Sequence, residues 1–285
     1  MPEAAEIKIA QDFIKKNFLN KKLIKYNFNS GKHSKRSPKL FNKFNNNLPL
    51  KLIDVHRIGK LMIFKYSKDG TNIDWWVCNF FGLQGIYRTE LNGEKKIIVP
   101  NFDIENKSVH VTIEFSKNSN SPYNKLYFMD ASGFGSFFYF INNEEDYNKL
   151  ISKLAIDIYD NNLSLKIFKK KINEIKNKNL KRNEICVILL NQHYLVSGLG
   201  NYLKCEILYD AKLSPFRTIE SLTNKDISVL YHSIIKVANQ NLKAGGKMNN
   251  KILVYNRKID PKGNTIKYEK TPDNKYTYWV PNIQK

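Results

Sequence analysis

The chain has 285 residues and a formal net charge of +21, with 42% hydrophobic and 13% aromatic residues. That apolar content can bury a core and excludes wholesale disorder, and no apolar run approaches the roughly 18 residues of a membrane span. The charge and a pI near 9.6 favour a polyanionic partner, nucleic acid first, with AT-rich coding as the competing source of the lysines.

From Ala4 to Asn20 the spacing of Ile7, Ala10, Ile14 and Phe18 predicts an amphipathic helix, with Pro2 and Glu3 where a proline and an acid suit a helix start. Gly31 to Leu48 is rich in Asn and Lys without periodicity and is expected to be an exposed loop. From Leu52 to Phe140, short β-branched and aromatic runs broken by Gly and Asn predict an antiparallel sandwich or barrel. Helical spacing returns at Asp146 to Ile158, Leu163 to Lys178, Asn183 to Leu190, Asn201 to Tyr209 and Asn224 to Ala244. Beyond the Gly245-Gly246 stop, Lys251 to Lys285 alternates around Gly263 and Pro272-Asp273-Asn274, which predicts a terminal β-hairpin. The expected division is 1–145, 146–250 and 251–285. Cys78, Cys186 and Cys205 make no disulfide framework and lack C-x-x-C spacing, pointing to a reducing compartment. With acids in Met1-Pro2-Glu3-Ala4-Ala5-Glu6 where a signal peptide carries bases, secretion is not expected.

Two constellations carry chemistry. Removal of Met1, which a small second residue favours, leaves Pro2 a secondary α-amine with a reference pKa near 8, partly neutral and nucleophilic at neutral pH. Such an amine can attack a sugar C1′, displace the base and form an iminium, provided a carboxyl group moves protons beside it. Glu3 is its neighbour, and Glu6 lies one turn on. The second constellation, Gln192 to Asn201, holds Gly198 and Gly200 in a G-x-G turn that leads into a helix, where N–H groups and the Asn201 amide suit a phosphate oxygen. Each alone is also an ordinary helix start or helix–helix turn.

Together with the ending Thr277-Tyr278-Trp279-Val280-Pro281-Asn282-Ile283-Gln284-Lys285, these motifs resemble the formamidopyrimidine-DNA glycosylase / endonuclease VIII family from the first residue to the last. The resemblance implies an α+β fold: an N-terminal helix and antiparallel β-sandwich, then a helical domain with a helix–two-turn–helix motif and a C-terminal hairpin finger. It implies a bifunctional DNA glycosylase and abasic-site lyase that acts as a monomer on double-stranded DNA with oxidised bases or abasic sites. No cofactor and no membrane are implied, and the place is intracellular, with the genome. Residue by residue, Pro2 matches the Schiff-base nucleophile, Glu3 the catalytic acid and Lys60 the lysine that contacts the phosphate beside the lesion. Glu6 matches a second acid near the site, Leu83 an apolar wedge, Asn201 a phosphate-binding asparagine and Lys275 the finger's phosphate grip, usually an arginine.

The departures are specific. Lys262, Thr265, Val280 and Ile283 stand at the four zinc-ligand positions, so the finger resembles a zincless one, expected to be held by packing of Tyr268, Tyr276, Tyr278 and Trp279. Asp130-Ala131-Ser132-Gly133-Phe134-Gly135 lacks the arginine that probes the orphan base, leaving Phe134 to stack, and Gly246 to Leu253 is short where a capping loop is usual. Both favour the endonuclease VIII side, with oxidised pyrimidines and relaxed opposite-base discrimination; the resemblance as a whole implies β,δ-elimination. The rival reading is a non-catalytic protein that uses the same fold to recognise lesions or junctions. The lysines of Lys166 to Arg182 and of Lys32 to Lys39 suit phosphates or a solvated face equally.

Overall fold

Ile7, Ala10, Ile14 and Phe18 form one buried face of helix α1 (Ala4–Phe18) in the computed structural model, which describes residues 2–100, 108–142, 144–178, 180–246 and 252–285. The chain divides into two compact units, Met1–Ser152 and Lys153–Lys285.

In the first unit, nine described strands form one antiparallel sheet: β1 (Lys22–Phe28), β2 (Leu50–Ile58), β3 (Leu61–Ser67), β4 (Asp74–Phe80), β5 (Ile86–Leu91), β6 (Glu94–Ile97), β7 (Val109–Phe115), β8 (Lys125–Met129) and β9 (Ser136–Ile141). Their order is β6-β5-β8-β7-β1-β2-β3-β4-β9. Rings from strands distant in that order nevertheless touch. Tyr26 of β1 lies 6.4 Å from Phe137 and 6.1 Å from Tyr139 of β9, and Phe64 of β3 lies 5.9 Å from Tyr87 of β5. The sheet therefore folds over on itself as a sandwich around an aromatic core. Register shifts at Leu23/Lys25, Leu52/Asp54 and Val109/Val111 supply the local bending such a fold needs.

The stretch expected as an exposed loop differs. It contains α2 (Lys32–Lys35) and α3 (Phe41–Asn46), and Phe41 and Phe44 are buried. The Phe44 ring meets Tyr26, Tyr66, Trp75 and Tyr139 at 5.1–5.7 Å. Two rings at i and i+3, each stabilising by about 1.5–3 kcal/mol when buried, are enough to draw a polar stretch onto the core. Strand β1 was likewise hidden from the periodicity, because Lys22 and Lys25 interrupt Leu23 and Tyr26.

Helix α1 lies along β2: Gln11 donates to the Val55 carbonyl (3.1 Å) and Lys15 pairs with Asp54 (2.7 Å). Residues earlier on the helix thus meet residues later on the strand. From Gln11 back to Pro2 is about 14 Å of helix, and from Val55 on to Lys60 about 17 Å of strand. The N-terminus and the β2–β3 hairpin tip, Gly59-Lys60, accordingly finish at one end of this unit. Helix α4 (Glu144–Ile151) completes the unit by stacking Tyr147 on Trp76 at 5.5 Å. It ends at Ile151, short of the expected Ile158, and further along Asp157 and Asp160 accept the N–H groups of Tyr159 and Asn162 in turns instead.

The second unit contains α5 (Leu165–Lys176), α6 (Ile185–Leu190), α7 (Asn201–Asp210) and α8 (Asn224–Lys243), then a hairpin of β10 (Lys267–Lys270) and β11 (Tyr276–Trp279). Ser164 caps α5, and a Thr223–Asp226 capping box starts α8. Helix α6 begins at Ile185, two residues later than expected, because Glu184 pairs with Thr218. Tyr202 through Leu208 of α7 are all buried, so this helix is surrounded by its own unit. The hairpin strands are only four residues each, and Gly263 lies in a separate turn built around Asp260.

Candidate active site

At the start of α1 two carboxylates are buried side by side. Glu3 is the N-cap and Glu6 the N3 residue, joined by a capping box in which Glu6 Oε2 accepts the Glu3 backbone N–H (2.8 Å). The unfilled N–H groups and dipole of a helix N-terminus favour negative charge there. Pro2, also buried, immediately precedes this pair. The arrangement puts a candidate amine next to two oxygen groups that can accept or return a proton. Lys60, half-buried, stands in the two-residue turn between β2 and β3, where Gly59 has φ +58°. Arg57 donates to the Gly59 carbonyl (2.9 Å) and stiffens that turn.

The two wedge candidates come together. Leu83 is 45% exposed and Phe134 is 64% exposed, high values for large apolar side chains. Gly82, at φ +64°, lies so close to the second loop that a Cβ there would come within 2.7 Å of the Phe134 carbonyl carbon and the Gly135 nitrogen. The two loops therefore touch backbone to backbone and present both apolar side chains outward. Sequence reasoning missed what holds the second loop. Buried Asp130 accepts the Ser132 and Gly135 N–H groups (3.0 and 2.7 Å) and the Ser132 hydroxyl (2.5 Å). The signal was an Asp two and five residues before those N–H groups. Beside this loop His33 Nε2 accepts the Phe137 N–H (3.3 Å), so that nitrogen carries no proton. Burial, helped by the Lys32 charge, lowers the His33 pKa and favours this neutral form.

In the second unit Gln192 pins the G-x-G turn, accepting the Gly198 N–H (2.7 Å) and donating to the Leu190 and Leu199 carbonyls (2.9 and 3.0 Å). Asn201, the first residue of α7, donates to the Tyr276 carbonyl (2.9 Å) on β11. Lys275 is exposed, one residue before Tyr276, so the structure brings these two candidates to the same part of the hairpin. Glu206 accepts the backbone N–H groups of Leu253, Val254 and Tyr255 at 2.7–3.0 Å. Burial pushes its carboxyl pKa up against those three donors.

The four positions that the resemblance assigns to zinc ligands do not fit a metal. Lys262 and Thr265 are exposed, Val280 is fully buried with Cys205, Val254 and Ile266, and Ile283 packs against that cluster. Among the described residues no three His, Cys, Asp or Glu gather as a metal shell. The aromatic packing expected to hold the hairpin is present but lies largely outside. Tyr268 stacks with Tyr276 and Tyr278 at 4.7 and 4.5 Å, while Tyr268 and Tyr276 are themselves exposed. The buried face is polar, with Thr271, Thr277 and Lys204. The short 246–253 stretch includes residues 247–251, which lie outside the described residues, as does Met1.

Three family descriptions match in chain order: the formamidopyrimidine-DNA glycosylase N-terminal domain over residues 1–137, its H2TH domain over 154–252 and its C-terminal domain over 246–285. The chain belongs to the formamidopyrimidine-DNA glycosylase family. Its relatives include the formamidopyrimidine-DNA glycosylases of Mycoplasma genitalium, 28% identical over 83% of this chain and 74% of that protein, and of Ligilactobacillus salivarius, 27% identical over 86% and 79%. Among solved structures, the Lactococcus lactis formamidopyrimidine-DNA glycosylase bound non-covalently to DNA with an abasic site shares the fold, with a TM-score of 0.78 over 99% of each chain at 22% identity. Family membership makes this chain a DNA glycosylase of DNA repair, and the α+β architecture expected from the motifs is the one observed.

Proposed function

We propose that the chain is a bifunctional DNA glycosylase and abasic-site lyase whose nucleophile is the α-amine of Pro2. The observation that supports this best is the buried Pro2-Glu3-Glu6 cluster at the start of α1, in a chain whose N-terminal domain matches the family's over residues 1–137. The amine nitrogen attacks C1′ of the flipped nucleotide while the Glu3 carboxyl gives a proton to the departing base. Loss of the base and opening of the sugar leave an iminium between Pro2 and C1′. That cation draws electrons when a C2′ proton is removed, and the 3′ phosphate leaves. A second elimination releases the 5′ phosphate, and water frees the proline. Lys60 holds the phosphate beside the lesion, and Glu6 fixes Glu3 through the capping box. Leu83 and Phe134 fill the space left by the flipped base, while Asn201 and Lys275 hold the backbone on the second unit. The reaction requires that Met1 be removed, because an acylated proline nitrogen is no nucleophile.

The substrate is double-stranded DNA carrying oxidised bases, mainly pyrimidines, or abasic sites. The missing probe arginine, replaced by Ala131-Ser132, supports relaxed reading of the opposite base and the endonuclease VIII side of the family. Borohydride reduction with abasic-site DNA tests the mechanism. A stable covalent complex is expected, lost in Pro2→Gly and with an uncleaved N-terminal tag. Trapping that survives both moves the nucleophile to a lysine, and no trapping in the wild type leaves the non-catalytic binder. Glu3→Gln should lose base excision yet retain cutting of a ready-made abasic site, because expelling a base needs an acid more than condensation of an aldehyde with an amine does.

A further inference from the structure

Helix α7 faces the hairpin with two polar side chains one turn apart, Asn201 and Lys204. Lys204 is an unusual residue to find there: its side chain is 0% exposed, and its partner Asp273 is 3% exposed. The Lys204 ammonium donates to Asp273 Oδ2 (2.5 Å) and to Thr277 Oγ1 (2.7 Å). Thr277 and Thr271 hydroxyls are 2.6 Å apart, and Thr271 donates to Asp273 Oδ1 (2.7 Å). With Thr277 donating to Thr271, the bonds close a ring: Lys204 to Thr277 to Thr271 to Asp273, and Lys204 again to Asp273. Asp273 Oδ1 also accepts the Lys275 backbone N–H (3.0 Å), and the Thr271 N–H reaches the Lys275 carbonyl (2.9 Å). From outside, Arg182 donates to the Pro272 carbonyl (2.5 Å).

We propose that Lys204 is the positioning residue of this finger: its buried ring with Asp273, Thr277 and Thr271 fixes the turn that presents Lys275 to the DNA backbone. This rests on the reading of Lys275 as a phosphate contact. A hydrophobic pair of the same volume would stabilise the hairpin as well or better, so stability alone does not explain a buried ammonium. What the ring adds is direction. Each bond has one acceptable geometry, and together they set the register of a five-residue turn whose flanking strands have only four residues each. Asn201, three residues earlier on α7, grips the carbonyl of Tyr276 on the other side of Lys275. One helix face therefore fixes the chain before and after the phosphate grip, a task the absent zinc ligands cannot perform.

The test is a double-mutant cycle in the full-length protein, with a duplex oligonucleotide carrying one abasic site as probe. Lys204→Met should raise KM roughly tenfold, the scale of one charge-assisted hydrogen bond lost, while kcat changes less than about twofold. The log–log salt slope of binding should fall by roughly one, as for Lys275→Ala. Adding Lys275→Ala to Lys204→Met should change little more, because a misplaced grip is already lost. Thr277→Val, which keeps the volume and removes one link, should show a smaller change of the same sign and serves if Lys204→Met does not fold. Additive effects of Lys204→Met and Lys275→Ala, or a folded Lys204→Met with wild-type KM and salt slope, overturn the proposal. A silent Lys275→Ala overturns instead the phosphate reading beneath it.

Discussion

The sandwich unit surrounds Tyr26, Phe44, Phe64 and Phe128 with other rings, whereas the hairpin side of the second unit buries Lys204, Glu206, Asp260 and Asp273 against polar partners. The difference follows from size. Nine strands can enclose an apolar interior, but two four-residue strands cannot, and small elements without a core need a staple. Here the staple is carboxyl oxygen held by backbone donors. Glu206 ties residues 253–255, Asp260 ties Lys262 and Asn264, and Asp273 ties Lys275. A carboxyl group that accepts several N–H groups organises a turn much as a metal organises its ligands, and it fails differently: removing one such group leaves the donors unmet.

That contrast can be broken at either end. The largest effect is expected in the sandwich, where Phe44→Ala should cost about 3–5 kcal/mol in denaturant unfolding, by removing a ring packed on four others. A cost below about 1 kcal/mol, the range of a surface change, would show that the 31–48 stretch is not part of the core. On the hairpin, Asp260→Ala should cost about 1–3 kcal/mol, because the Lys262 and Asn264 N–H groups and the Tyr209 hydroxyl lose their acceptor. Chelators should leave the wild-type Tm unchanged, and stoichiometric zinc in metal analysis would falsify the carboxyl-stapled hairpin.

Mild acid should separate the units. Burial lowers the His56 pKa, and the nearby Asp54 opposes it only in part, so the neutral ring is the stable form. A group with a depressed folded pKa stabilises fully above its unfolded value, about 6.5 for histidine, and that contribution is lost as pH falls through the folded value. Asp260 behaves otherwise: burial raises it, but the Asn264 and Tyr209 bonds outweigh burial and lower it, so its contribution survives until pH falls well below the usual carboxylate range. Glu206 has the opposite sign. Its raised pKa means a contribution present at low pH that shrinks as pH rises through the folded value. Amide exchange between pH 7 and 5 should therefore show β2 and α4, joined by the His56–Tyr147 bond (2.9 Å), loosening before the Asp260 turn. The reverse order would contradict this account. The smallest structural effect is Lys275→Ala. It should leave Tm unchanged while weakening DNA binding and lowering the salt slope by roughly one unit.

Much of this site was legible because its residues are local. Pro2, Glu3 and Glu6 fall within one turn, and the capping box that joins them is a spacing rule. The G-x-G turn and its Gln192 pin lie within ten residues of sequence, so the motif contains its own geometry. The pair of wedge candidates was half legible. Leu83 and Phe134 were identifiable one at a time, but their meeting depends on Gly82 lying against the far loop, and Asp130 became an anchor only once its loop was folded.

By itself the sequence determined the helix at the N-terminus, the candidate nucleophile and acid beside it, the alternation of the β-domain, the helical run and the absence of ligand cysteines from the finger. These follow from periodicity, turn chemistry and residue type, which act over a few residues. Only the tertiary structure decided that Phe41 and Phe44 leave a polar stretch for the core, and that Lys204, one of a great many cations, is buried, as Lys21 is in the first unit. The partner of Lys204, Asp273, is 69 residues away. Nothing local distinguishes a lysine that will be solvated from one that will close a ring with a distant turn, because the desolvation that makes the pairing specific exists only once α7 and the hairpin have packed.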